Sequence, residues 1–553
     1  MSRFLQFTVD EALAGRGDTL KETAIGAAVF DRPADYDPRI DPIVRVEARR
    51  LRAKLDRYYS TAGAADPIRI DYKRGGYTPA FAPRSDSAPA TPRGMKTIAV
   101  LPFSNLSPDP ADAFFGDGLT QELIHALTRL PDLRVIAWSS MARLRDAGQS
   151  PAEIAAKLPV DAILEGSVRR AGNRVRITAG LIDAASSVYR WTGAYERELA
   201  DLFAVQEELA RSLATVLQVR LESQSGSAQA SSPECVEAYS LYLRGRVEWN
   251  RRTEEGLRQS IVFYQRAAAK DPECAFAYAG LADAYSLLCD FGYEPPPKAM
   301  PLAREAALRA LELNPTLAEA HVSLGYLLAL HDWNWALGER HYRRAIELNP
   351  GYVTAHHWYG CDMLALLGRH DEARAEIETA VALSPLEPVI RETEAYMHLL
   401  ARRFDEAERA TRRLIHDAPG YYKAHTCLGR VLASRGEYGE AVEHLERGRG
   451  LAGGIPSLVA ALCHVRGMKG DRSEAERLLA ELESLAAHRH VSGVAFCLAN
   501  AGLGRDDIAL TWLEQACEQR EPSVTHIGVH PAYDSLREHP RFRAQLRRIG
   551  LAA

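Results

Sequence analysis

The chain has 553 residues and a mass of 61.0 kDa. That is too long for one hydrophobic core, so three or more domains are expected. Apolar residues make up 46% and charged residues 25%, which is ordinary for a globular protein, and the net charge of -5 excludes a global basic field, so any nucleic-acid site has to be local.

The opening segment, MSRFLQFTVDEALAGRGD, has no apolar run of signal-peptide length. No stretch approaches the ~18 apolar residues of a spanning helix, so no membrane contact is expected. All eight cysteines lie after residue 230, with no C-x-x-C pair. No disulfide framework and no metal site is expected from them, and the reading places the protein in a reducing cytoplasm.

Within residues 1–83, RFLQFTVDEAL reads as a first helix. The segment 41–59, DPIVRVEARRLRAKLDRYY, is the most chemically loaded of the chain. Asp41 is placed to cap a helix and Pro42 suits its first turn. Val44, Ala48, Leu51, Leu55 and Tyr58 fall on one stripe at helical spacing. Arg45, Arg49 and Arg52 form a second stripe about a quarter-turn away, and Arg50, Lys54 and Arg57 flank the other side. In IRIDYKRGGYTPAF, Ile68, Ile70 and Tyr72 alternate with polar residues, Lys73 to Gly76 turn the chain, and Tyr77 and Phe81 return. A basic amphipathic helix before a hairpin with a basic tip is the layout of a winged helix, whose helix lies in the DNA major groove.

VRVEARRLRAKL followed by IRIDYKRGGY resembles the recognition helix and wing of response-regulator effector domains of the OmpR/PhoB type. The resemblance implies double-stranded DNA as a partner. It makes Arg45, Arg49, Arg50, Arg52 and Lys54 candidate contacts of the helix, and Lys73 and Arg74 candidate contacts of the wing. The glycine spacing of the tip departs from that family, and its N-terminal strand platform is missing. A solvated basic surface is the alternative reading of the same residues.

Residues 84–95 are rich in Ser, Pro and Ala and read as a linker. In residues 96–222, KTIAVLPF reads as a buried strand. Asp117 is placed to cap a helix with the stripe Leu119, Leu123, Leu127 and Leu130. LRVIAWSS reads as a strand, PAEIAAKL as a short helix, and DAILEGSV onward as an antiparallel meander that turns at Ala171–Asn173 and Asp183–Ala185. LFAVQEELARSLATVL closes the region as a helix. The strings IAVLPFSNLS, FFGDGLTQEL, ILEGSVRRAG and RVRITAGLIDA resemble the TolB-like (FlgO-like) α/β domain. That resemblance implies a sensing or adaptor module and carries over no catalytic residue.

Residues 223–234 form a second linker. Beyond it, Cys361, Ala395, Gly429, Cys463 and Cys497 sit 34 apart, and Ala373, Ala407, Ala441, Ala475 and Ala509 form a second ladder twelve residues on. Asn314-Pro315, Asn349-Pro350 and Ser384-Pro385 each stop a helix. The period and the two small positions are similar to those of tetratricopeptide repeats, two antiparallel helices per unit. About eight units are expected over 235–522, with 523–553 as a terminal cap. The resemblance implies a right-handed superhelix whose groove takes a protein or peptide partner.

The expected fold class is therefore multidomain: a small winged-helix-like α+β domain, a TolB-like α/β domain and an all-α tetratricopeptide-repeat superhelix. No phosphate loop, dinucleotide fingerprint, H-E-x-x-H or G-x-S-x-G motif occurs. His356-His357 reads as packing or surface histidines without nearby carboxylate partners. The expectation is a regulator or adaptor that is not an enzyme and needs no cofactor, with a scaffold that does not bind DNA as the alternative.

Overall fold

The computed structural model describes residues 2–33, 36–37, 41–59, 68–72, 76–83, 96–107, 115–128, 130, 133–146, 151–171, 174–198, parts of 208–216, and 233–551. The expected linker 84–95, and all but the end of the linker 223–234, lie outside the described residues. The chain divides into two compact units, Met1–Arg93 and Gly94–Ala553.

Among the described residues the first unit holds three α-helices, a 3-10 turn (Gly17–Thr19) and a hairpin: α1 (Ser2–Leu13), α2 (Glu22–Phe30), α3 (Ile43–Tyr59), β1 (Ile68–Tyr72) and β2 (Pro79–Pro83). The strands pair antiparallel with Ile70 opposite Phe81. Asp41 starts α3 by accepting the Ile43 amide at 3.1 Å, which leaves one fewer orphan donor at the helix end. Val44, Ala48 and Leu51 of α3 pack with Phe4, Ile25, Val29 and Tyr72 in one small core. The Thr8 and Tyr72 hydroxyls meet at 2.6 Å inside it, tying α1 to the hairpin. Gly26 lets the Tyr36 ring lie against α2, since a Cβ there would come within 2.6 Å of it. The predicted apolar stripe runs out early: Leu55 is half-buried and Tyr58 is exposed. The fully buried residues of α3 end at Leu51, and Leu55 packs part-buried at the edge of the same core.

The second unit begins with a mixed sheet of β3 (Lys96–Val100), β4 (Ser104–Asn105), β5 (Leu133–Val135), β6 (Ala162–Ala171), β7 (Arg174–Asp183) and β8 (Tyr189–Glu198). The order is β5-β3-β6-β7-β8. Strands β5, β3 and β6 run parallel, β6 to β8 form the predicted antiparallel meander, and β4 adds to β6. Both faces are covered. Ile98, Val100, Leu164 and Leu181 face α4 (Phe115–Thr128). Their neighbours Ala99, Ile163 and Ile182 face α5 (Trp138–Asp146) and α6 (Pro151–Lys157). The period of two divides each strand between two apolar layers, which is why these strands read as continuous apolar runs. Leu209 and Leu213 of the expected closing helix are buried against the α4 face.

Two local expectations change. Helix α4 starts at Phe115, so Asp117 lies in its first turn, where it favours the positive end of the helix dipole. The segment LRVIAWSS is a strand only to Val135. The Ile136 amide bonds Ile98, but the Ala137 amide donates to the Leu383 carbonyl of the repeats at 2.7 Å, and α5 begins at Trp138.

That bond belongs to a seam between the sheet domain and the turns that follow the repeat helices. Ser140 Oγ lies 3.2 Å from Ser384 Oγ and accepts the Leu386 amide at 3.2 Å. Gly351 sits where a Cβ would meet Thr128 at 2.6 Å. The turns marked in the sequence by Asn349-Pro350 and Ser384-Pro385 are thus the surface on which the sheet domain rests.

Among the described residues, 233–518 form eight helical hairpins, from Pro233–Asn250 with Glu254–Lys270 to Gly493–Gly502 with Asp506–Glu518. Every residue of the two small ladders is buried. The first helices of the third and fourth hairpins each end in a π-type turn, Leu327–His331 and Gly360–Leu364. After the last hairpin come two short 3-10 turns, Pro522–His526 and Pro531–Leu536, and the helix Pro540–Arg548. Their Tyr533, Leu536, Phe542, Leu546 and Ile549 complete a core with Leu510 and Leu513. The tail also reaches back to early repeats. Trp335 Nε1 donates to the Ile549 carbonyl at 2.8 Å, His331 Nδ1 lies 3.0 Å from the Arg520 carbonyl, and Arg402 forks onto Asp534 at 2.6 and 2.7 Å.

Candidate nucleic-acid interface and the repeat lumen

The candidate DNA residues separate by what they touch. Arg45 Nε donates to Glu22 at 2.8 Å, and the Tyr77 hydroxyl donates to the same carboxylate at 2.7 Å. This triad joins α2, α3 and the hairpin. Burial pushes the Glu22 carboxyl up, but the hydrogen bonds from Arg45 and Tyr77 outweigh it and hold the carboxyl below its usual value. Burial, then Glu22, pushes the Tyr77 phenol up to about 12. Arg50 is paired within its own helix to Glu47 at 2.7 Å. Arg49, Arg52 and Lys54 have no acidic partner among the described residues. Arg49 and Lys54 are exposed and Arg52 is half-buried. Val46, 43% exposed, lies on the outer side with them. Lys73 and Arg74 fall outside the described residues. The sequence reading missed Glu22 and Tyr77; an acid at the start of α2 gave no sign of its partner 23 residues on.

The second candidate site is inside the repeats. The first helices of successive hairpins face a common lumen, and residues 521–533 of the tail lie across it, leaving a cavity of about 400 Å3. The groove expected to take a partner is in this way partly lined by the chain's own tail. Its wall carries Asp290, Asp362, Glu392, Lys423 and Arg430 from the second, fourth, fifth and sixth hairpins. None of the five side chains forms an ion pair among the described residues.

Lys423 Nζ lies over the Phe291 ring at 4.3 Å, an arrangement that favours the cation. Burial lowers its pKa, against the pull of Glu392 and Asp290. Burial raises the Glu392 and Asp290 carboxyls, with Lys423 opposing in each case. The Asp362 carboxyl is pushed up to about 8, first by burial and then by Asp290. The imidazoles in the wall are neutral: burial pushes His357 down to about 3 and His526 to about 4. His357 Nε2 is 2.9 Å from Thr393 Oγ1.

The histidine pair read as lacking carboxylate partners is corrected for one member. His356 Nδ1 lies 2.6 Å from Glu376 Oε2, and its Nε2 2.8 Å from the Pro350 carbonyl. Glu376 is on the second helix of the same hairpin, and only the antiparallel packing brings it across.

The eight stacked hairpins, the buried 34-residue ladders and the capped end define the C-terminal part as a tetratricopeptide-type repeat superhelix, with a small mixed-sheet domain in front of it. No family model matches the chain. It is 36% identical over 190 residues to "Putative adenylate cyclase 3" of Rhizobium meliloti (strain 1021), covering 34% of this chain and 32% of that one. It is 26% identical over 157 residues to "Transcriptional regulator HilA" of Salmonella typhimurium, 28% of each chain. The chain therefore spans about a third or less of the length of these curated relatives. A solved tetratricopeptide protein of Thermus thermophilus is 20% identical, with a TM-score of 0.30 over 35% of this chain and 98% of that one. The first relative corrects one expectation. The sequence motifs were read as excluding an enzyme, and similarity at 36% identity to a chain named as a cyclase overturns that exclusion.

Proposed function

We propose that this chain is a transcription regulator or signalling adaptor that binds double-stranded DNA through α3 and a protein or peptide partner through the repeats. The observation that carries the reading is the outer face of α3. Val44, Ala48 and Leu51 are buried on one side, while Arg49 and Arg52 on one flank and Lys54 on the opposite flank have no acid among the described residues to neutralise them. Arginine forks match guanine edges and phosphates, and an exposed valine among them suits a thymine methyl. The hairpin β1–β2 beside α3 is the element a winged helix would need. The regulator among the relatives supports the same reading. Six of the eight cysteines are buried, which suits small packing residues.

The test is binding of the full chain to duplex DNA at several salt concentrations, for wild type and an Arg49→Ala, Arg52→Ala, Lys54→Ala variant. Phosphate contacts release counterions, so the wild-type affinity should fall steeply with salt. The triple variant should flatten the slope by up to about 2–3. Absent or salt-independent binding returns the scaffold reading.

A second reading is favoured by the cyclase relative, which shares a 190-residue stretch with this chain: a part in cyclic-nucleotide signalling. Conversion of ATP to cyclic AMP by the purified chain would move the function there.

A further inference from the structure

The mixed sheet has two unlike edges. Strand β5 forms one; it is three residues long, and the chain after it is taken up by the repeats at Ala137. Strand β8 forms the other. It is ten residues long, and among the described residues no strand pairs with its outer side. From Trp191 to Glu198 its register with β7 is unbroken, and the one irregularity lies before that run, at Leu181 and Ile182 of β7. Thr192, Ala194, Glu196 and Glu198 are exposed on one face. On the other face Trp191 and Tyr195 pack part-buried against the core under α4. Open edges are usually guarded by charge, proline, a bulge or short length. The stretch Trp191–Tyr195, WTGAY, has no charge, no proline and no bulge.

Such an edge offers backbone N–H and C=O groups to another strand. The order of side chains along β8 selects the occupant. Residues that face each other in an antiparallel pair turn their backbone groups both toward the partner or both away, so a strand pairing with its own copy has the two-fold axis at a residue. Two registers pair seven residues of the unbroken run, 191–197 or 192–198. About Ala194, Trp191 lies opposite the partner subunit's Arg197, Thr192 opposite the partner's Glu196, and Gly193 opposite the partner's Tyr195. About Tyr195, Arg197 falls opposite a glycine and Trp191 is left out. The register about Ala194 thus sets a cation on a ring twice and opposes no like charges. The Trp191 and Tyr195 rings already flank Gly193, where a Cβ would come within 2.5 and 3.1 Å of them. Across the two-fold the four rings extend one aromatic layer. The charges of β8 accommodate this pairing. Glu196 keeps Arg174 of its own sheet at 3.2 Å, and Arg197 reaches Glu208 only at 3.4 Å, 48% and 44% exposed.

We propose that β8 is a dimerisation edge, which pairs antiparallel with β8 of a second copy of this chain about Ala194 and joins two six-stranded sheets into one. The interface is independent of the DNA-binding reading. A two-fold dimer of this kind presents every other site of the chain twice.

Sedimentation velocity of the full chain over a concentration series tests this, and a monomer–dimer equilibrium is expected for wild type. Ala194 is exposed, so Ala194→Lys and Ala194→Glu should both fold. Each sets like charges against each other at the two-fold and should weaken dimerisation by about tenfold or more. An equimolar mixture of the two variants should dimerise again, because opposite charges then meet. Wild type that stays monomeric, single variants that dimerise like wild type, or a mixture that stays monomeric would each overturn the proposal. Hydrogen exchange of the wild-type chain at low and high concentration locates the contact without any variant. The amides of residues 191–197 should slow on dimerisation, and unchanged exchange there overturns the proposal even if a variant fails to fold.

Discussion

Cys463 Sγ lies 3.1 Å from the carbonyl oxygen of Ala475, twelve residues on and in the facing helix. The same offset recurs one unit earlier, where Gly429 packs against the Ala441 carbonyl, and Gly360 packs in the same way against the Ala373 carbonyl of its own hairpin. Each of these hairpins closes by setting a small side chain of one helix on the backbone of the next. That contact is the physical content of the 34-residue period.

Two glycines ten residues apart should respond oppositely to alanine. A Cβ on Gly429 would stand 2.6 Å from Leu445 Cγ and 3.0 Å from the Ala441 carbonyl. Gly429→Ala should therefore cost about 1–3 kcal/mol in urea unfolding. Gly439 is helical with nothing near its missing Cβ. Gly439→Ala should stabilise by about 0.5–1 kcal/mol, since it removes backbone freedom from the unfolded chain. Equal effects at the two sites would refute the assigned packing.

The tail's attachment to the early repeats should rest on Trp335 rather than on the ion pair. Trp335 is part-buried and donates to Ile549. Trp335→Phe keeps most of the ring and should lose about 1 kcal/mol through the unpaired carbonyl. Arg402 and Asp534 are both more than 40% exposed. Arg402→Met should change stability by no more than about 0.5 kcal/mol. Thermal melts of the two variants give the comparison.

Asp362 makes stability depend on pH. Its folded pKa is about 8, far above the ordinary carboxyl value. The folded state therefore binds the proton more tightly than the unfolded state. The stability this contributes is complete below the unfolded pKa of ~4 and is lost as pH rises through about 8. Asp362→Asn should match wild type near pH 4 and melt higher at pH 8 to 9, by about 1 kcal/mol or more. A variant less stable at pH 8 would reverse the sign.

Arg45 and Arg49 should separate folding from binding. Arg45 anchors the part-buried Glu22, so Arg45→Ala leaves that carboxylate without its cation. A lower melting temperature of the first unit is expected, since the Tyr77 hydroxyl alone then faces that carboxylate. Arg49→Ala should leave folding unchanged and lower DNA affinity by about 1–3 kcal/mol if it reads a base, less if it touches phosphate alone. Calorimetry and anisotropy read the two effects independently.

The seam between the sheet domain and the repeats offers a packing test. Gly351→Val would push its branches into Thr128, where even a Cβ comes within 2.6 Å. The variant should become more sensitive to proteases near α5, which the Ser140–Leu386 bond holds to the repeats. Unchanged proteolysis would show that the seam is not cooperative.

The repeats were legible because their signal is local and periodic. A small residue at Cys463 and another at Ala475 serve one contact, repeated unit after unit, and chain separation never exceeds the hairpin. The strands of the sheet were legible from apolar runs such as Ile98–Val100, and the start of α3 from Asp41 and Pro42. The basic face of α3 was visible as composition, because helical spacing alone puts Arg49 and Arg52 on one side. What sequence could not supply was who meets whom across long separations. Nothing in the sequence tells that Glu22 claims Arg45, that Leu383 ends the strand at Val135, or that Ile549 returns to Trp335. The lumen is the strongest case. Asp290, Asp362 and Arg430 lie in separate hairpins, each unremarkable in its own helix, and only the superhelical turn and the returning tail bring them to one cavity. Local periodicity is written in single elements, whereas the balance of charge in an enclosed space belongs to the assembled chain.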